Sequence, residues 1–148
     1  MKQSVTLSQI ETFLCAVDPL FPIPLSQKQD LTLYARKLYE KATLCVVCEG
    51  GEILSMVAGY TENLADDRAY IAIVATLPKA TRNGYASRLV KEFIGICRKK
   101  TIKAVHLYAV PENIGAISMY RSLGFQYLQL ADEPRKEDAH LIYCIEGN

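Results

Sequence analysis

Apolar positions recur every three to four residues near the start of the chain. Ile10, Phe13, Leu14 and Val17 share one face and predict a helix over Leu7–Val17, with Ser8 or Thr6 as its cap. Leu31, Tyr34, Ala35 and Leu38 repeat the spacing and predict a second helix to about residue 39, capped by Asp30. Between them, Pro19, Pro22 and Pro24 interrupt any regular structure, so residues 18–26 are expected to be a loop. The period then changes. Residues 43–48 are apolar and rich in β-branched side chains, Gly50-Gly51 punctuates, and residues 53–60 resume, which predicts a β-hairpin. After a polar stretch at 61–67, Arg68–Thr76 reads as a further strand.

From Gly84 the spacing is helical again, through Ala86, Leu89, Val90, Phe93, Ile94 and Cys97. Arg98, Lys99 and Lys100 crowd the last turn, where the negative end of the helix dipole favours cations. Residues 103–110 alternate and predict a strand, and residues 113–123 predict a short helix stopped by Gly124. Two more strands are expected at 125–130 and 141–145, separated by a charged loop with Pro134. The order α-α-β-β-β-α-β-α-β-β describes an α/β domain with a mixed central sheet. Its single βαβ crossover runs from residue 68 to residue 110. No repeat or linker divides residues 1–148, so one domain is expected.

Composition narrows the function. Half the residues are apolar and 22% are charged, an ordinary globular balance. Lys and Arg number 17 and Asp and Glu 16, so the formal charge is 17 − 16 = +1. That weighs against a nucleic-acid partner, which is held mainly by phosphate neutralisation. The five cysteines, an odd count, do not suggest a disulfide framework. No apolar run resembles a signal peptide or reaches the ~20 residues that cross a bilayer. The expectation is a soluble, cytoplasmic protein with no membrane partner.

The stretch from Val74 to Ser87 carries the candidate chemistry. A buried strand ends at Val74, Ala75 and Thr76, and a helix starts near Asn83-Gly84. The first amides of a helix lack internal partners and sit at the positive end of its dipole, so they can hold a phosphate. Gly84 and Ala86 are small enough to admit a ligand to the backbone. An ordinary Asn-Gly turn is the competing reading. No Gly-Lys-Ser/Thr or GxGxxG pattern is present.

Beyond the next strand the chain reads Asn113-x-x-Ala116-x-x-Met119-Tyr120-x-x-Leu123-Gly124-Phe125. This run is similar to the C-terminal signature of the GNAT superfamily of acetyl-CoA-dependent N-acetyltransferases. The segment Thr81-Arg82-Asn83-Gly84-Tyr85-Ala86 resembles that superfamily's pyrophosphate loop. The resemblance spans about residues 43–145, with both motifs in order. Thr81 departs from the Arg or Gln usual at the first loop position; Arg82 is adjacent but leaves the backbone in another direction.

The resemblance implies a GNAT-like fold and direct transfer of an acetyl group from acetyl-CoA to an amine, with no metal. It implies pyrophosphate contacts from Thr81, Arg82, Asn83, Gly84, Tyr85, Ala86 and Ser87. Strand-like pairing of the pantetheine arm would fall to Val74, Ala75 and Thr76, and further contacts to Asn113 and Ala116. Tyr120 matches the tyrosine that often protonates the departing thiolate; a packing role is its alternative. The acceptor is expected to be a small-molecule amine, bound by a monomer or homodimer. A protein or peptide acceptor, or a non-catalytic acyl-CoA-binding module, are the alternatives.

Other residues stay open. Glu62, Asp66, Asp67, Tyr70 and Glu112 are candidate bases, beside a water chain with no dedicated base. Arg88, Lys91 and Arg121 are candidates for the 3′-phosphate or are solvated charges. Cys45 and Cys48 form a CxxC, but residues three apart on a strand face opposite ways, which reads as core packing. Cys97, His106 and His140 read as structural. The acceptor is expected to meet residues 4–39, 61–67 and 132–139, with Phe21 to Ser26 as lid, wall or simple connector.

Overall fold

Thr6 closes a capping box with Gln9 and starts helix α1, Leu7–Val17. Asp30 accepts a hydrogen bond from the Leu33 amide and starts α2, Leu31–Lys41. The computed structural model describes residues 5–135 and 137–145; Ser4 and Lys136, both in segments expected to meet the acceptor, lie outside the described residues. The proline-rich connector is more ordered than a plain loop. It contains two 3-10 turns, Asp18–Leu20 and Leu25–Gln27, and Pro19 sits in a first turn where no donor is needed. The Asp18 carboxylate pinches the connector, accepting from the Ser26 amide at 2.8 Å and the Ser26 hydroxyl at 2.7 Å. These bonds to Ser26 hold the Asp18 carboxyl below the usual carboxylate range.

Strands β1 (Thr43–Glu49) and β2 (Glu52–Tyr60) form the expected hairpin, with Gly50 and Gly51 at φ 59° and 80° in the turn. Then come β3 (Arg68–Thr76), α3 (Tyr85–Lys99), β4 (Ala104–Ala109), α4 (Ile114–Leu123), β5 (Gln126–Tyr127) and β6 (Ala139–Cys144). The sheet order is β1-β2-β3-β4-β6-β5, and the β3–β4 pair is parallel while the others are antiparallel. The strand expected at 125–130 shortens to Gln126–Tyr127, because β5 is an edge strand that meets β6 only at Ile142 and Leu141. After Leu128 donates to the His140 carbonyl at 2.8 Å, the chain leaves the sheet.

Two apolar layers sandwich the sheet. Leu89, Phe93 and Cys97 of α3, with Tyr120 of α4, pack with Ile71, Val105 and Leu107 on one face. Ile10, Leu14 and Leu38 of α1 and α2 pack with Met56, Ala58 and Ile73 on the other. Buried between both layers from Ile53 onward, β2 has no solvent face, which matches a run that is apolar but for Ser55, whose hydroxyl is 2.7 Å from that of Thr76. Ile71 and Ile73 face opposite layers because a bulge separates them. Gly59 pairs with Ile71 and Ala58 with Ile73, so Ala72 has no partner on β2.

Candidate active site

The bulge lies where β3 parts from β4. These strands pair only at Arg68–Ala104, Ala69–Val105 and Tyr70–His106. Beyond that, β3 runs on from Ile71 to Thr76 while β4 stays with β6 through Leu107, Tyr108 and Ala109. The gap is a cleft of about 510 Å³, lined along β3 by Val74, Ala75 and Thr76, as the sequence suggests, and along β4 by Leu107 to Val110. The unpaired edge of β3 offers backbone groups that an extended ligand can meet as another strand would.

One end of the cleft is the start of α3. The helices α1, α2 and α4 are capped by the side chains of Thr6, Asp30 and Asn113, whereas α3 has no side-chain cap. Its first helical bond runs from the Arg88 amide to the Gly84 carbonyl at 3.0 Å, which leaves the preceding amides of the first turn without helical partners. Gly84 is the N-cap at φ 72°, a left-handed conformation that favours glycine. Thr81 and Ala86 line the cleft; Arg82, Asn83, Gly84, Tyr85 and Ser87 do not. Asn83 braces the turn by donating to the Ala80 carbonyl at 2.9 Å, and the Thr81 hydroxyl donates to the Pro78 carbonyl at 3.0 Å. Arg82, at φ 69°, is exposed away from the cleft, while Arg88 sits over the Tyr85 ring at 5.4 Å.

The opposite wall is α4. Asn113, Ala116 and Tyr120 fall on one helical face and all line the cleft. The Asn113 side chain accepts from the Ala116 amide at 3.3 Å, so it serves as the helix cap. The Tyr120 ring packs on Phe125 at 5.7 Å, and the side chain is buried. Burial pushes the phenol well above its usual range, so it stays protonated at neutral pH. At the far end of α4, Gly124 at φ 111° ends the helix, with the Phe125 amide donating to the Tyr120 carbonyl at 3.0 Å.

A parallel pair that splays, an uncapped helix start and a buried tyrosine on one cleft match the order of motifs in the sequence. The Acetyltransferase (GNAT) family profile matches residues 10–125. The chain belongs to the GNAT acetyltransferase family. This makes it an acyltransferase by family, and solved structures share its fold. The NAA60 protein of Arabidopsis thaliana, in complex with a bisubstrate analogue, is 15% identical over 99% of this chain and 98% of that one, with a TM-score of 0.76. The PaiA N-acetyltransferase of Thermoplasma acidophilum, in complex with coenzyme A, is 13% identical over 97% of each chain, with a TM-score of 0.73. An aminoglycoside 6′-acetyltransferase type Ii is 10% identical over 93% of this chain and 88% of that one, with a TM-score of 0.75. The curated proteins give no significant match. No helix among the described residues is long and apolar enough to cross a membrane.

On the α1–α2 side of this GNAT cleft, Phe21, Pro22, Ile23, Leu25 and Lys28 form a wall, so the connector contributes to the cleft. Arg135 and Asp138 line it from the β5–β6 loop, 3.9 Å apart. The candidate bases separate. Glu62 is ion-paired with Lys100, Asp66 lies 3.7 Å from Arg68, and Glu112 is an exposed turn residue; none of these or Asp67 lines the cleft. Tyr70 does not line the cleft either; it makes the last β3–β4 pair, against His106 at 5.3 Å, and burial raises its phenol. Arg121 sits over Tyr127 at 4.8 Å, and Arg88, Lys91 and Arg121 are all exposed. Cys45 packs in the core as expected, but Cys48 does not: it is exposed at the end of β1, beside the Gly50-Gly51 turn. Burial pushes the Cys45 and Cys97 thiols up to about 12, which makes them poor nucleophiles.

One group escapes sequence reasoning. His106 and His140, read singly as structural, lie on one sheet face with Tyr70 and Tyr108. His106 Nδ1 is 2.8 Å from His140 Nε2, and His140 Nδ1 is 2.8 Å from Glu133 Oε2. The Tyr108 hydroxyl donates to Glu133 Oε1 at 3.3 Å, and the Leu130 amide donates to Oε2 at 3.2 Å. These donors, His140 foremost, hold the Glu133 carboxyl below the usual range. The strand alternation signals the shared face of His106 and Tyr108; the β4–β6 pairing that adds His140 is not local and leaves no signal.

Proposed function

We propose that this protein is an N-acetyltransferase that moves an acetyl group from acetyl-CoA directly to the amine of a small-molecule acceptor. The observation that carries the reading is one cleft with an uncapped helix start at one end, an unpaired strand edge along one side and Tyr120 on the facing helix. These features fit an acyl-CoA. The uncapped amides of α3 and the small Gly84 and Ala86 suit a pyrophosphate without a basic surface, consistent with a formal charge of +1. The turn before them is braced by the side-chain hydrogen bonds of Thr81 and Asn83, and Arg82, Tyr85 and Ser87 flank the same helix start. Val74, Ala75 and Thr76 offer backbone partners to the pantetheine amides, and Ala116 leaves room beside them.

Acetyl-CoA, as co-substrate, supplies the thioester from which the acetyl group departs. The chain's own contribution is position and proton handling. Holding amine and thioester in one cleft removes most of the entropic cost of their encounter. Tyr120 donates a proton to the leaving thiolate, a step that contributes ~10²–10⁴ in rate when a positioned acid performs it. The apolar wall from Phe21 to Leu25 and the Arg135–Asp138 pair bound the acceptor end, which favours a compact amine.

The test is release of CoA thiol from acetyl-CoA across a panel of aminoglycosides, amino acids, arylalkylamines and N-terminal peptides. Turnover with small amines at rates above peptides supports the proposal. Tight CoA binding with no thiol release on any amine overturns it in favour of a binding module.

A further inference from the structure

We propose that Glu133, His140 and His106 form a hydrogen-bonded relay in which His106 is the general base that deprotonates the acceptor ammonium through water at the apex of the cleft. This inference rests on the acetyl-transfer reading, because an attacking amine must shed a proton before it can act as a nucleophile.

The direction of the relay follows from its donors and acceptors. Glu133 as a carboxylate only accepts, so His140 Nδ1 carries the hydrogen between them. In neutral His140 the lone pair is then on Nε2, and it accepts from His106 Nδ1–H. His106 is left with its lone pair on Nε2. Among the described residues that atom has no hydrogen-bond partner, and it is not completely enclosed as the Tyr60 hydroxyl is.

The position suits the task. His106 does not itself line the cleft; it makes the last β3–β4 pair with Tyr70, one strand step behind Tyr108, which does line it, so a water must bridge His106 to the cleft. Tyr108, two residues on along the same face, lines the cleft and stacks on His140 at 4.3 Å. A carboxylate at the far end of an imidazole chain fixes the tautomer and steadies the imidazolium, as in hydrolase triads. The step balances simply. One N–H bond of the ammonium breaks and its electron pair stays on nitrogen. One Nε2–H bond forms on His106, whose positive charge faces the Glu133 carboxylate through His140. Solvent then takes that proton, which resets the base.

Other charges around His106 set its resting state. Burial, His140 and Arg68 lower its pKa, while Asp66 and Glu133 raise it; the Tyr70 and Tyr108 rings flank it. The balance is downward, so the base is unprotonated at neutral pH. Glu133 acts through His140 and is a positioning residue.

The chain has only two histidines, which makes the relay directly readable. Nitrogen NMR of ¹⁵N-histidine-labelled protein across pH should show hydrogen on Nδ1 of both neutral rings. It should also show a coupled titration that Glu133→Gln moves to lower pH. An Nε2–H tautomer on His106, or a titration indifferent to Glu133→Gln, overturns the relay without reference to any substrate. Kinetics then test the role, with tyramine (protonated at neutral pH) and 4-aminobenzoate (an arylamine neutral there) as acceptors. His106→Gln should lower kcat/KM for tyramine about 100-fold more than for 4-aminobenzoate. Equal loss on both amines overturns the base role. Glu133→Gln should move the acidic limb of the tyramine profile to lower pH, whereas a purely structural part would scale the profile and leave the limb in place. Absence of turnover with either amine in the unsubstituted protein counts against the acetyl-transfer reading, and the NMR result still decides the relay.

Discussion

Replacing Tyr120 by Phe removes one oxygen and little else. The ring stays buried on Phe125, 5.7 Å between centroids. Among the described residues nothing accepts from the hydroxyl, and burial is the only influence moving its pKa, so the change breaks no protein hydrogen bond. Stability should therefore stay within about 0.5 kcal/mol of the parent, because deleting an unpaired hydroxyl strands no partner. Catalysis should respond differently. The acid step is worth at least about 100-fold, or ~2.7 kcal/mol of barrier. The assays are thiol release under saturating acetyl-CoA, equilibrium binding of acetyl-CoA, and urea denaturation. The expected pattern is a kcat about 100-fold lower, with binding and the denaturation midpoint unchanged. Since burial raises the phenol above its usual range, Tyr120 should not itself produce a basic limb through the range where free tyrosine titrates. An unchanged kcat, with pre-steady-state data showing that chemistry limits turnover, refutes the acid assignment. A large fall in stability refutes the argument that the hydroxyl is structurally idle.

Four further outcomes follow from the geometry. Gly84→Ala places a Cβ in open space but at φ 72°, so it should cost about 1 kcal/mol through backbone strain alone and weaken CoA binding; calorimetry checks both. Gly59→Ala puts a Cβ 2.5 Å from the Tyr70 carbonyl and 2.6 Å from the Phe93 ring; overpacking there should cost ~1–3 kcal/mol in urea, and a neutral result would contradict the packing beside the bulge. In the native protein a thiol reagent should label exposed Cys15, Cys48 and Cys144 and reach Cys45 and Cys97 only after unfolding, as peptide mapping would show. Because the His106 pKa is lowered on folding, the unfolded chain binds more protons between the two values, so stability should fall as pH drops through the ordinary histidine range. His106→Gln should flatten that slope in thermal melts, and an unaltered slope would remove His106 as its source.

What could be read in the chain was local. Thr6, Asp30 and Asn113 each satisfy amides three residues ahead, and Gly124 stops α4; the sequence names Asp30 and Gly124, leaves Thr6 open against Ser8, and offers Asn113 only as the first residue of a helix. The cleft's two motifs were legible for the same reason, since a helix start and a helix face are short-range patterns. The acceptor side was not. Glu133 reaches His140 across seven positions and His106 lies a further 34 away, joined by a strand pairing that no local pattern specifies. The edge strand β5 was overestimated because its apolar residues imply pairing, while β6 offers it only two positions. The bulge at Ala72 was invisible because Arg68–Thr76 is apolar in both phases of its alternation.

That bulge divides β3 into two rhythms. Ala69 and Ile71 face the α3 layer, yet Ile73 faces the α1–α2 layer. One unpaired residue thus hands the strand from scaffold to cleft by a half-step rotation of its side chains. A complete substitution scan along β3 would show intolerance at Ala69, Ile71 and Ile73 alike, while the helix layer whose packing each substitution disturbs changes between Ile71 and Ile73. Deleting Ala72 would make Ile71 and Ile73 consecutive partners of Gly59 and Ala58, restoring an unbroken beat with every side chain still on its present face and removing only the bulge's kink beside the cleft.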